Sequence, residues 1–228
     1  MIVEERTYTL HPGKAADWLR IYEADAMATQ VPVLGHMVGY FTTEFGPLNQ
    51  VIHMWGYDGL DDRARRRAEL FAKPAWNSFL GKVRPFLIDQ DSKVLLPAPF
   101  SPVGGVRPAK NPKPAGKIVE ERVYTLIPGK SADYVKAYEA EGMAVQIPVL
   151  GHLVGYFTTE HGPMNQITHI WSYDSLEDRS HRRAELFKID AWNAYLGKVR
   201  PFILRQENKL LVPAPFSPVG GVRPVKNP

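Results

Sequence analysis

Gly39-Tyr-Phe-Thr-Thr-Glu-Phe-Gly-Pro-Leu-Asn-Gln-Val-Ile-His-Met-Trp-Gly-Tyr57 reads as two β-strands joined by a turn at Gly46-Pro47. Side chains alternate between the two faces of a strand, so Val51, His53, Trp55 and Tyr57 share one face and Ile52, Met54 and Gly56 the other. Tyr40, Thr42 and Glu44 share a face of the preceding strand by the same rule. The stretch returns almost unchanged as Gly155 to Tyr173. Working outward from it, Ile2 to Pro112 aligns without a gap with Ile118 to Pro228, at a constant shift of 116 residues. About two-thirds of the aligned pairs are identical, so the chain is a tandem duplication.

Each copy follows one pattern. Ile2 to Leu10 alternates as a strand, and His11-Pro12-Gly13 is a turn. From Lys14 to about Gln30, Trp18, Ile21 and Tyr22 recur at helical spacing, and Pro32 to Gly35 ends the helix. The hairpin His36 to Glu44 and Gln50 to Tyr57 follows. A second helix begins near Asp58 to Asp62; in copy two Ser175-Leu-Glu-Asp178 resembles a capping box. Pro74 breaks that helix and suits the first turn of another, Ala75 to Arg84, with Asp190 as the expected N-cap in copy two. A strand near Ser92 to Leu96 runs into Pro97-Ala-Pro-Phe-Ser-Pro102, whose prolines indicate an edge or an extended wrap. The order β-α-β-β-α-β, twice, predicts an α+β protein of two tandem ferredoxin-like repeats. Each repeat leaves one sheet face bare, and two can bury those faces as a pseudo-dimer around a barrel-like centre. The expected boundaries are repeat 1 over 1–108, a Pro/Gly/Lys-rich linker over 109–117 and repeat 2 over 118–228. Pairing of each copy with another chain is the alternative, so a homo-oligomer stays open.

Composition narrows the function classes. The 228 residues include 44% hydrophobic and 23% charged side chains, as in folded globular proteins. The net charge of +4 is spread along the chain, whereas nucleic-acid binders concentrate theirs on one face, so no nucleic acid is expected. There is no cysteine, which removes disulfides, thiolate metal sites and cysteine nucleophiles. Met1-Ile-Val-Glu-Glu-Arg6 enters a strand directly, and no apolar run approaches the roughly 20 residues that span a bilayer. A cytoplasmic protein without a membrane partner is the expectation.

Arg6-Thr-Tyr-Thr-Leu-His-Pro-Gly13, Gly39-Tyr-Phe-Thr-Thr-Glu44, Gly46-Pro-Leu-Asn-Gln-Val-Ile-His-Met-Trp-Gly-Tyr57, the run Arg63 to Arg67, and Pro97-Ala-Pro-Phe-Ser-Pro102 together resemble the NIPSNAP family. The resemblance covers both copies nearly end to end. It implies the dimeric α/β-barrel superfamily, which includes cofactor-independent monooxygenases, haem-degrading enzymes, dismutases, cyclases and lactone isomerases. Animal relatives are linked to mitochondria and to vesicle or autophagy adaptor roles. A shared fold does not choose among these activities.

The face that carries His53 and Trp55 is expected to point into the barrel centre, with Ile52, Met54 and Gly56 under the helices. Adjacent strands then gather candidate catalytic residues His53, Tyr40 and Glu44, repeated as His169, Tyr156 and Glu160. In the functional reading His53 is a general base with a pKa near neutrality, and Tyr40 donates to a substrate oxygen. Trp55 stacks on a flat substrate and Arg6 grips a carboxylate or enolate. Tyr8 and Asn49 complete the expected substrate contacts, with Arg122, Tyr124, Asn165 and Trp171 in copy two. In the plainer reading His53 is a satisfied core residue and an Arg6–Glu44 ion pair holds the sheet. His36, Glu44 and His53 have no metal-ligand spacing, and nothing demands haem, so neither a metal nor an organic cofactor is expected. Arg63 to Arg67 is a solvated helix face, or sends one arginine to the pocket mouth. Trp18, Phe71, Trp76 and Phe79 are assigned to the core. The copies differ at His11/Ile127, Phe45/His161, Ile52/Thr168, Gly56/Ser172 and Arg65/His181. The leading function is a small-molecule enzyme or binder using proton-transfer, isomerase, lyase or oxygenase chemistry. The rival is an adaptor or self-assembling module.

Overall fold

In the first repeat β1 (Ile2–Leu10) and β2 (His36–Phe45) flank β3 (Gln50–Tyr57), both pairings antiparallel. The computed structural model describes residues Met1–Pro228. Arg6 and Tyr40 both stand opposite His53, and Glu4 stands opposite Trp55. A β-bulge between Met37 and Gly39 shifts the β2 register. The hairpin turns through Asn49 at φ 58°, a left-handed conformation that asparagine tolerates. Its carbonyl accepts the Leu10 N–H at 2.9 Å, which ties β1 to the turn.

Helices α1 (Ala15–Asp25) and α2 (Met27–Leu34) connect β1 to β2. They form one helical run with a break at Ala26, and the run continues through Pro32 to Gly35. Gly35 has φ 81°, and Arg66 Nη1 caps the helix by donating to the Leu34 carbonyl at 3.1 Å. Helices α3 (Leu60–Phe71) and α4 (Pro74–Val83) follow β3, separated at Pro74 as the sequence indicates. The strand β4 (Leu87–Pro97) is longer than the proline pattern suggests.

The second repeat has β5 (Ile118–Leu126), α5 (Ser131–Ala137), α6 (Met143–Leu150), β6 (His152–His161), β7 (Gln166–Tyr173), α7 (Leu176–Phe187), α8 (Asp190–Val199) and β8 (Ile203–Pro213). A π-helical turn, Tyr138–Gly142, replaces the break at Ala26. Ser175 caps α7 by accepting the Asp178 N–H at 3.1 Å. The N-cap of α8 is Ile189; Asp190 is its first helical residue and makes no capping bond. It serves instead as a negative charge at the positive helix end.

The eight strands are hydrogen-bonded in the order β1-β3-β2-β8-β5-β7-β6-β4, and the barrel closes. Of the two roles that the prolines after β4 indicate, the extended wrap is the one taken: Ala98 donates to the Tyr156 carbonyl at 2.8 Å. The compact units are not the sequence repeats. One comprises Met1–Val94 with Leu211–Pro228, the other Leu95–Leu210. Each unit thus contains the Pro-rich arm that the sequence attaches to the other repeat. In the first unit Ser217 Oγ accepts the Tyr40 N–H at 3.1 Å, and Asn227 pairs with both the N–H and the carbonyl of Met37. In the second, Ser101 and Asn111 serve Tyr156 and Leu153 in the same way. No helix is long and apolar enough to cross a membrane.

Candidate functional site

In the first unit His53 and Trp55 lie beneath helices. The cavity of about 120 Å³ that they line also takes Trp18 and Tyr22 of α1, Gln30 of α2, Arg67 of α3 and Trp76 and Phe79 of α4. The expectation that this face points into the barrel centre is therefore corrected: it is the helix-covered face. The opposite face of β1 carries Glu5, ion-paired to Lys93 at 2.9 Å. Alternation groups side chains by face, but only packing decides which face the helices cover.

Of the expected residues, Arg6, Tyr8, Tyr40, His53 and Trp55 meet at this cavity. In the second unit Arg122, Tyr124, Tyr156 and His169 line a cavity of about 100 Å³, and Trp171 hydrogen-bonds to His169 beside it. Glu44 and Glu160 do not join them. Both are exposed near the hairpin turn and line neither cavity. Asn49 and Asn165 hold the turn and line neither cavity. The Arg6–Glu44 ion pair is absent as well. Arg6 donates to Glu4 Oε1 at 2.8 Å instead, its neighbour two residues away on the same face.

Glu4 is fully buried and is the counter-ion for a cluster of arginines. Its Oε1 also takes Arg63 at 2.6 Å and Ser92 at 2.9 Å, and Arg67 lies 3.9 Å from Oε2. Burial alone would raise its pKa, but Arg63, Arg6 and Arg67 outweigh burial and hold it down to about 2. Glu120 repeats this with Arg122, Arg179, Arg183 and Asn208, and is likewise held to about 2. One carboxylate thus faces three guanidiniums in each unit, and of these residues it is the arginines at 6 and 67, or 122 and 183, that reach the cavity. A fourth, Arg84 or Arg200, stands at the rim.

The histidines are not poised near neutrality. The Trp55 indole N–H donates to His53 Nδ1 at 2.9 Å, and Trp171 to His169 Nδ1 at 2.8 Å. An indole can only donate, so Nδ1 is the acceptor and the ring proton sits on Nε2. Burial, reinforced by the charge of Arg6, pulls the His53 pKa down to about 3, and burial likewise lowers that of His169. Each ring is a neutral N–H donor, and the expectation of a general base with a pKa near 7 is corrected. Tyr40 stacks on His53 at 5.2 Å and 12°, and burial raises its pKa, so it stays a neutral phenol.

Donors accumulate around this cavity. The Tyr8 hydroxyl accepts from Arg6 Nε at 2.6 Å and the Tyr40 hydroxyl from Trp18 Nε1 at 2.7 Å, which leaves both phenolic protons to donate. The Tyr22 hydroxyl, Trp76 Nε1 and Gln30 Oε1 are buried without a partner. So are the Tyr138 and Tyr195 hydroxyls, Trp192 Nε1 and Gln146 Oε1 in the second unit. A buried polar atom without a partner costs about 1–3 kcal/mol, so such clusters mark a place for a bound molecule. The core assignment holds for Trp18, Trp76 and Phe79, which are buried, and fails for Phe71, which is exposed; what it missed is that all four line the cavity. The available signal was their i,i+3 and i,i+4 spacing together with that of Arg63 and Arg67, which puts indole and guanidinium donors over the sheet.

The NIPSNAP family profile matches residues 3–102 and again 119–218. A NipSnap homologue of Dictyostelium discoideum is 30% identical over 181 residues, covering 77% of this chain and 74% of that protein. Human NipSnap homologue 3A is 29% identical over 221 residues, covering 95% and 85%. Among solved structures, a provisionally assigned monooxygenase of Lactobacillus acidophilus NCFM covers 96% of each chain at a TM-score of 0.64. At 14% identity that likeness concerns the fold alone. With a match in each of its two repeats, over most of the chain, this chain belongs to the NIPSNAP family.

Proposed function

We propose that each repeat binds a small organic anion carrying one ring, and holds the negative oxygen among the guanidinium, imidazole and phenol donors of its cavity. The observation that carries this reading is the excess of donors over acceptors in an aromatic-walled space. Arg6 and Arg67 supply charge, and His53 Nε2, Tyr8 and Tyr40 supply neutral protons. An apolar cavity of about 150 Å³ holds one benzene, so about 120 Å³ limits the ligand to a single ring at most. Any reaction here rests on stabilising an enolate or phenolate rather than on proton removal by histidine, because His53 is a donor at neutral pH. This supports chemistry on an already ionised substrate, including cofactor-independent oxygenation or isomerisation. A polar cavity under the helices of each unit favours this over the adaptor reading, for which a solidly packed interior would serve.

Calorimetric titration of the full chain with benzoate and with its neutral isostere benzamide tests the reading. Benzoate is expected to bind and benzamide to bind at least tenfold more weakly. Loss of that difference in an Arg6→Met/Arg122→Met variant supports it. Equal binding of the two probes, or binding of neither, overturns it.

A further inference from the structure

The two cavities differ at three lining positions, and two of these change hydrogen-bonding capacity. Trp18 and Phe79 in the first unit correspond to Tyr134 and Tyr195 in the second, and Leu87 to Ile203. In the first unit the Trp18 N–H is spent on the Tyr40 hydroxyl at 2.7 Å, and its ring packs edge-on to Phe79 at 5.9 Å. That wall offers a ligand no further polar atom. In the second unit two phenols take the same places. The Tyr195 hydroxyl is buried, faces Tyr134, and forms no hydrogen bond of normal geometry. The Tyr138 hydroxyl is buried without a partner too, as that of Tyr22 is in the first unit, so the hydroxyls peculiar to the second cavity are those of Tyr134 and Tyr195.

The backbone changes with them. A Cβ on Gly142 would lie 2.8 Å from Tyr138 Cδ2 and 3.0 Å from Tyr195 Cζ, so the Tyr138 and Tyr195 rings would have to give way to admit a side chain here. Its counterpart is Ala26, which packs fully buried in the first unit. The Tyr138–Gly142 segment is also where the helix widens into a π-turn, a feature frequent at functional sites. Tyr134, Tyr195 and Gly142 are thus changes grouped around the second cavity, while Tyr138 matches Tyr22 of the first.

We propose that the two cavities take different ligands: the first an anion whose ring is otherwise apolar, the second an anion whose ring bears a hydroxyl facing Tyr134 and Tyr195. This rests on the anion-binding reading above. It makes Tyr195 and Tyr134 specificity-determining residues of the second site, and Phe79 and Trp18 those of the first.

Five tryptophans are present, and their indole N–H signals can be followed by ¹⁵N NMR in the full chain. Trp76 reports the first cavity and Trp192 the second. Benzoate and 4-hydroxybenzoate are the probes. One net hydrogen bond is worth roughly threefold to tenfold in affinity. The preference for 4-hydroxybenzoate over benzoate is thus expected to be higher at Trp192 than at Trp76 by about that factor. Tyr195→Phe should bring the Trp192 preference down to the Trp76 value, and Phe79→Tyr should raise the latter. The same preference at both indoles, or no change in either variant, overturns the two-ligand proposal and leaves anion binding standing. No perturbation of either indole by either probe overturns both.

Discussion

At the residue scale, the decisive atom is His53 Nδ1. Its bond from Trp55 fixes the tautomer, and burial keeps the ring neutral. Side-chain ¹⁵N NMR should show His53 and His169 as Nε2–H tautomers at neutral pH, with His53 still unprotonated at pH 5. An imidazolium signal for His53 at pH 6 would contradict this. Glu4 makes a second case. Replacing a buried charge that others depend on costs about 3–5 kcal/mol, since the remaining charges lose their partner. Glu4→Gln leaves Arg6, Arg63 and Arg67 without their carboxylate, and urea denaturation should register a loss of that order. A loss below about 1 kcal/mol would show the arginines to be adequately solvated. The grouping of Arg6 with Tyr40, His53 and Trp55 was legible from strand alternation. The partner of Arg6 was not, because Glu44 shares the face in principle but is exposed near the hairpin turn, away from the cavity lining.

At the scale of elements, the arm Ala214–Pro228 completes the site of the first unit. Ala214 donates to the Tyr40 carbonyl at 2.9 Å and Ser217 accepts its N–H, so the arm grips both backbone groups of a cavity residue. Phe216 packs on Tyr22 at 5.2 Å and edge-on to Tyr40 at 5.1 Å, behind the Tyr22–Tyr40–His53 stack. Phe100 holds the same position against Tyr138 and Tyr156 in the second unit. Truncation of a buried phenylalanine costs about 3–5 kcal/mol. Phe216→Ala should therefore weaken probe binding reported by Trp76 while leaving the Trp192 signal in place, and Phe100→Ala should do the reverse. Equal loss at both indoles would refute the assignment of each arm to one site. Sequence reading marked the arms through their repeated Pro-Ala-Pro-Phe-Ser-Pro run, but which repeat each arm serves is a matter of long-range packing.

At the scale of the whole molecule, the buried groups make stability depend on acid. A histidine whose folded pKa is depressed is protonated first in the unfolded chain, so stability is full above the unfolded value near 6.5 and falls as pH drops toward about 3. Each such histidine contributes a slope of up to about 1.4 kcal/mol per pH unit in that window. Glu4 and Glu120 add a further loss as pH falls from about 4.5 toward 2, since their folded pKa values are depressed. The midpoint of thermal unfolding should drop steadily from pH 6.5 to 4, and a His53→Gln/His169→Gln variant should flatten that fall. An unchanged slope in the variant would place the sensitivity elsewhere. The chain by itself determined the duplication, the β-α-β-β-α-β order, the turns and the membership of each strand face, because these follow from local periods of 2 and 3.6 residues and from turn chemistry. Tertiary structure alone decided which face the helices cover, how His53 and His169 are protonated and which arm finishes which unit. Those depend on desolvation and on contacts between residues up to 200 positions apart, and no local pattern encodes them.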